Sequence, residues 1–87
     1  MYLSQDELTE RLDTAKQQVE IGTVYQHYKS ADMTYEVKDI VIQEVDDEPC
    51  VIYEALYGNH ITFSRPVKVW LESVTVEGQL VKRFTKL

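Results

Sequence analysis

TYEVKDIVIQEVDDEPCVIYEALY, residues 34–57, decides the fold. Two runs rich in β-branched and aromatic residues flank DDEP, where the acids favour a turn and Pro49 cannot donate to a ladder. The pattern predicts a hairpin: a long strand from Thr34 to Val45, a turn at 46–49, and a return strand from Cys50 to Tyr57. With Val45 opposite Cys50, side-chain alternation puts Val37, Val41, Val45, Ile52 and Leu56 on one face. Ile40, Ile42, Val51, Tyr53 and Ala55 then share the other. Both faces are apolar, so both need cover. In a short chain the economical solution is a curled sheet with the core inside and an N-terminal helix roofing part of its outside.

Upstream, Ser4 and Glu7 have the spacing of a capping box, with Leu3 and Leu8 at the staple positions. Leu8, Leu12, Ala15 and Val19 follow on one helical stripe, which predicts a helix over 5–20 closed by Gly22 in the left-handed region. The period changes to two at Thr23, and TVYQHYK reads as a first strand followed by the turn SADM. Downstream, GNH (58–60) turns the chain into a short strand, Ile61 to Ser64. Arg65 and Pro66 break that strand, and Val67, Trp70 and Leu71 are spaced as one helical turn. ESVTVEGQLVKRF reads as a hairpin about Glu77 and Gly78. The plain turn would set Val74 opposite Val81 and Leu71 opposite Phe84 on opposite faces, so a bulge near Ser73, or a longer loop with Gly78 in the left-handed region, is expected.

The chain has 87 residues, 44% hydrophobic and 28% charged, with a net charge of −6, which describes one folded domain rather than a disordered tail. No basic leader and no run of about 18 apolar residues occurs, so a cytoplasmic protein outside the membrane is expected. Cys50 is the sole cysteine, which excludes an internal disulfide. Residues 1–48 carry twelve acids against four bases, whereas residues 49–87 carry five bases against three acids. Mutual attraction within one domain accounts for that asymmetry, and an anionic partner for the basic half is the alternative.

YQHYK (25–29), YEV (35–37), VIYEALYG (51–58), RP (65–66) and WLESVTVEGQLVKRF (70–84), in this order and spacing, resemble the small bacterial family called domain of unknown function 1653. The likeness runs from about Gly22 to Leu87 and leaves the N-terminal helix outside. The chain departs from the family pattern at SADM, longer than the usual glycine turn, and at Lys82, where a proline is general. The resemblance implies a mainly β fold, an SH3-like β-barrel of five or six antiparallel strands, here preceded by one α-helix. It implies no catalytic role and no ligand.

The candidate contact residues are Tyr25, His27, Tyr28, Tyr57, Arg65 and Trp70. On a strand, Tyr25, His27 and Lys29 point one way and Val24, Gln26 and Tyr28 the other, so neither side is cleanly apolar, which suits a barrel rim. With Tyr35 and Phe63, these rings either pack the core or line a groove for a protein or a small ligand. Arg65 either pairs with Glu54 or Glu72, or clamps a carboxylate or phosphate, with Lys68, Lys82 and Arg83 extending the patch. Asp46, Asp47 and Glu48 lack the spacing of a calcium loop and read as a solvated turn. No zinc spacing, phosphate loop or serine elbow occurs, so neither metal nor cofactor is expected. His27, His60 and Cys50 have no partner at informative spacing. The expectation is a non-catalytic interaction module, monomeric or dimeric through the helix. Nucleic-acid binding by the basic half, which the acidic net charge disfavours, and a small hydrolase using His27 or His60 are the alternatives.

Overall fold

The computed structural model describes residues 3–87. The capping box forms as the sequence predicts. Ser4 Oγ accepts from Glu7 N–H (3.2 Å) and Glu7 Oε1 accepts from Ser4 N–H (3.0 Å), so two of the amides that a helix start leaves unpaired are satisfied. Helix α1 spans Gln5–Gln18 and ends two residues before the expected boundary, because Val19 is extended. Gly22 does have a positive φ of 81°, but it sits in the turn beyond the helix, where its N–H donates to Val37 C=O. It therefore starts the sheet rather than closing the helix.

The strands are β1 (Val24–His27), β2 (Thr34–Gln43), β3 (Glu48–Ala55) and β4 (Thr62–Pro66). Helix α2 (Val67–Trp70) follows, then β5 (Ser73–Val76), β6 (Gln79–Lys82) and β7 (Phe84–Lys86). The protein is mainly β. An antiparallel five-stranded sheet has the order β4-β3-β2-β1-β7, and β5 and β6 form a separate hairpin. Among the described residues the sheet has two hydrogen-bonding edges, β4 and β7, and no ladder closes it into a barrel.

The central hairpin exists, but its register corrects the expected one. Cys50 faces Val41, not Val45, and the turn lies before Glu48, so Val45 is 79% exposed. A bulge at Lys38 then shifts the pairing between Val37 and Asp39. That extra residue returns Val37 to the inner face, where Tyr35, Val37 and Ile40 lie against Val51, Tyr53 and Ala55. On the outer face the Glu36↔Glu54 end carries ions: Lys38 Nζ reaches both Glu36 (3.0 Å) and Glu54 (3.2 Å).

Helix α1 accordingly packs on the inner face, contrary to the expected outer roof. Ala15 and Val19 belong to the same buried cluster as Trp70 and Phe84, and Leu12 packs against it. Three of the four stripe residues, Leu12, Ala15 and Val19, are thus used within the chain. The helix start is tied to the β2–β3 turn, where Asp47, at φ 56°, is buried instead of solvated. Asp47 Oδ2 accepts from Leu3 N–H (3.0 Å), and its carbonyl accepts from Arg11 Nη1 (3.0 Å).

At the other end, Val67 and Trp70 are buried and Leu71 is exposed. Val74 opposes Val81 with neither bulge nor long loop. Glu77 (φ 51°) and Gly78 (φ 80°) form the two-residue turn whose positive φ values match strand twist. Leu71 does not oppose Phe84, because the chain leaves the hairpin at Arg83, whose N–H donates to Glu72 C=O. Phe84 then enters the main sheet opposite His27.

Candidate functional site

Cross-strand partners share a face, so the register decides where each candidate side chain points. Tyr25 and His27 face inward and are 7% and 6% exposed, and Trp70 is 2% exposed. These three belong to the core, which corrects the expected aromatic rim. Trp70 stacks on Phe84 with centroids 3.7 Å apart and planes 6° from parallel. Tyr53 meets Trp70 edge-on at 4.9 Å. Tyr25 meets Trp70 edge-on at 5.4 Å, and its hydroxyl accepts from Glu20 N–H at 3.0 Å. Buried tyrosine hydroxyls need such partners. Beside this packing, Tyr25, Trp70, Leu71, Phe84, Lys82 and Lys86 border a groove of about 260 Å³.

His27 Nδ1 accepts from Lys29 N–H (3.2 Å), so in the neutral ring the proton sits on Nε2. Burial first, and then the positive charges of Arg65, Lys29 and Arg83, hold its pKa below the usual histidine value. Tyr28 is half-buried and lies against the His27 ring at 4.6 Å. His60 lies elsewhere, exposed, with Nδ1 3.3 Å from Glu54 Oε2. The Cys50 thiol donates to Gln43 Oε1 (3.1 Å), and burial, followed by Asp46 and Glu48, pushes its pKa up. A raised thiol pKa opposes nucleophilic chemistry, and neither histidine touches Cys50 through the hydrogen bonds described.

Arg65 is the candidate whose placement differs in kind. It pairs with Val51 across the ladder, so it projects to the inner side from the edge strand β4. Its Nε donates to Tyr53 Oη (3.2 Å), and its guanidinium carbon lies over the Phe84 ring, 5.4 Å from the centroid. This cation–π contact spans the gap between the two sheet edges. Among the described residues Arg65 has no carboxylate partner: Glu54 is taken by Lys38 and His60, and Glu72 lies 3.6 Å from Arg83. The guanidinium is thus fixed by a hydroxyl and a ring, neither of which neutralises it. Among the described residues Arg83 Nε is buried without a hydrogen-bond partner, and Arg83 and Lys29 both bear on His27. Three cations, Arg65, Lys29 and Arg83, thus act on His27 in a chain whose net charge is −6.

Tyr57 borders the same region. Its hydroxyl is 2.6 Å from the Tyr35 hydroxyl, while the residue is 39% exposed. Tyr35 is buried, and desolvation together with that bond raises its pKa far above the usual tyrosine value. Phe63 is 42% exposed and lies 5.8 Å from the Tyr53 ring. The open part of the aromatic system is therefore Tyr57, Phe63 and Arg65. The sequence singled out Arg65 without the two residues that position it, Tyr53 and Phe84. The alternation in VIYEALY marks Tyr53 as facing one side, but the contact with Phe84 depends on the β1–β7 pairing. The basic half is partly neutralised within the chain, since Lys86 pairs with Glu20 and Arg83 with Glu72.

The profile of a family described as "Protein of unknown function (DUF1653)" matches residues 23–86. The chain belongs to the DUF1653 family. A crystal structure of a DUF1653 protein from Bordetella bronchiseptica superimposes with a TM-score of 0.69 at 26% identity, covering 80% of this chain and 90% of that one. No curated protein matches the chain with significance. Helix α1 lies outside the family match, so Arg65, Tyr53, Tyr57, Phe63 and Phe84 all fall on the DUF1653 part. Among the described residues, no helix is long and apolar enough to cross a membrane.

Proposed function

We propose that this DUF1653 protein is a non-catalytic binding module, its curled sheet an SH3-like barrel left open between β4 and β7, that takes an anionic group of its partner on Arg65. The observation that carries the reading is the half-buried Arg65 fork, held by Tyr53 Oη and the Phe84 ring with no carboxylate among the described residues. A guanidinium fixed in this way has lost its side-chain freedom before a ligand arrives, so less entropy opposes a two-point bond to a carboxylate or phosphate. Cations near His27 strengthen the local field, and net repulsion from the acidic remainder restricts binding to this end. The binding reading is favoured over hydrolysis because His27 has its Nδ1 engaged and His60 lies on an exposed turn beside Glu54.

The test is a titration of the nitrogen-15 labelled protein with sodium acetate and with sodium phosphate, followed at the arginine side-chain Nε resonances. The expected result is a saturable shift of the Arg65 signal, weakened by salt and absent in Arg65→Gln. An Arg65 signal that stays unmoved by both anions at low ionic strength overturns the reading.

A further inference from the structure

Among the described residues no strand pairs with the outer side of β4. Ala55 N–H donates to Ile61 C=O (3.0 Å), so in the register Tyr53↔Phe63 and Val51↔Arg65 the odd-numbered residues of β4 exchange the ladder bonds with β3. Thr62 and Ser64 therefore turn their N–H and C=O groups away from the sheet. Pro66, next in that row, has no N–H, and α2 begins directly after it. Thr62, Phe63 and Ser64 are all exposed. Exposed edges are usually blunted by a lysine, a proline or a bulge. Here Pro66 ends the row, but Thr62–Ser64 has none of these. Phe63 and Arg65 flank the row from the inner side, two residues or about 7 Å apart. A hollow of about 70 Å³ beside Phe63, bounded also by Tyr57, Gly58 and Ile61, has room for a small apolar side chain.

We propose that an extended acidic peptide segment of a partner protein adds to β4 as a further strand along Thr62–Ser64. It sets an apolar side chain against Phe63 and, two residues away, an aspartate or glutamate on Arg65. The inference rests on the anion-binding reading of Arg65 and names its partner. Backbone bonds supply sequence-independent attachment, and the alternating side chains supply selection. The unneutralised guanidinium on one edge specifies the charge of the occupant. A second copy of this chain fits poorly: antiparallel self-pairing about Phe63 sets Arg65 opposite Ile61, with no carboxylate to meet it.

The test uses the full chain, nitrogen-15 labelled, and the blocked probe acetyl-Thr-Leu-Thr-Glu-Thr-Leu-Thr-amide, whose central glutamate has a leucine two residues away in either direction. Three controls are a glutamine version, a version methylated at consecutive backbone nitrogens, and sodium acetate. The expected result is amide shifts confined to Tyr57 and Thr62–Arg65, with the glutamine probe bound about tenfold more weakly and the methylated probe silent. Arg65→Gln should bring the glutamate and glutamine probes to parity. Because the glutamine and methylated probes leave the protein unchanged, loss of fold in the variant does not remove the test. Equal affinity for the glutamate and glutamine probes, binding of the methylated probe, or dimerisation of the protein through β4 overturns the proposal. Acetate shifting Arg65 while no probe binds at millimolar concentration overturns strand addition and leaves the anion site standing. No response to acetate or probe removes both.

Discussion

The aromatic system has two regions of similar composition and opposite accessibility. Around Trp70 and Phe84, with Tyr25, His27 and Tyr53, the rings are stacked or edge-on and nearly without solvent contact. Around β4, with Tyr57, Phe63 and Arg65, the rings are about two-fifths exposed and the charge is unneutralised. Strand position separates them. The first region lies where α1, α2 and β7 converge on the inner face, and the second lies on an edge with no strand beyond it among the described residues. A small domain needs most of its rings as core, so aromatic density is a poor guide to a binding surface, and an unneutralised cation at an uncovered edge is a better one.

Truncation should separate the regions most sharply. Phe84→Ala removes the ring that Trp70 stacks on and Arg65 covers, and should cost about 3–5 kcal/mol in urea denaturation, a large part of the stability of a domain this size. Phe63→Ala, in the same ring network but at the edge, should cost about 1 kcal/mol or less. Similar losses for both would erase the distinction.

At the boundary between the regions, Tyr57→Phe leaves the buried Tyr35 hydroxyl without its partner and should cost about 1–3 kcal/mol by the same measurement. Tyr35→Phe, which leaves the exposed Tyr57 hydroxyl to water, should be milder. The reverse order would place the open boundary elsewhere.

The sealed region should also report pH. His27 has a folded pKa below its ordinary 6.5, so between those two values the unfolded chain binds a proton that the native chain refuses. The stability it contributes is complete above 6.5 and is lost as pH falls toward the folded value. The denaturation midpoint should therefore drop between pH 7.5 and 5, and His27→Gln should flatten that slope. An unchanged slope in the variant would mean that His27 is solvated like the β4 edge. Arg65→Gln should have the smallest effect on stability, about 1 kcal/mol or less, while removing the response to acetate.

Much of the fold was legible because it is locally encoded. The Ser4/Glu7 box gave the helix start, the period change at Thr23 gave the sheet, and Glu77-Gly78 gave the final turn. Register was not legible. The bulge at Lys38 and the early turn before Glu48 together move Val37 inward and expose Val45, and no local residue pattern marks either. The candidate site failed for the same reason. Whether Tyr25 and His27 form a rim or a core depends on β7 arriving beside them, a pairing of His27 with Phe84 across 57 residues of chain. Arg65 was recognisable by its chemistry, but its lack of a carboxylate is a tertiary fact.

Amide hydrogen exchange along β4, resolved residue by residue, tests the bare edge most directly. Alternation is expected, with Phe63 and Arg65 protected by their bonds to β3 and Thr62 and Ser64 exchanging rapidly. Uniform protection from Thr62 to Arg65 in the protein alone would mean that the edge is already covered, and would contradict it.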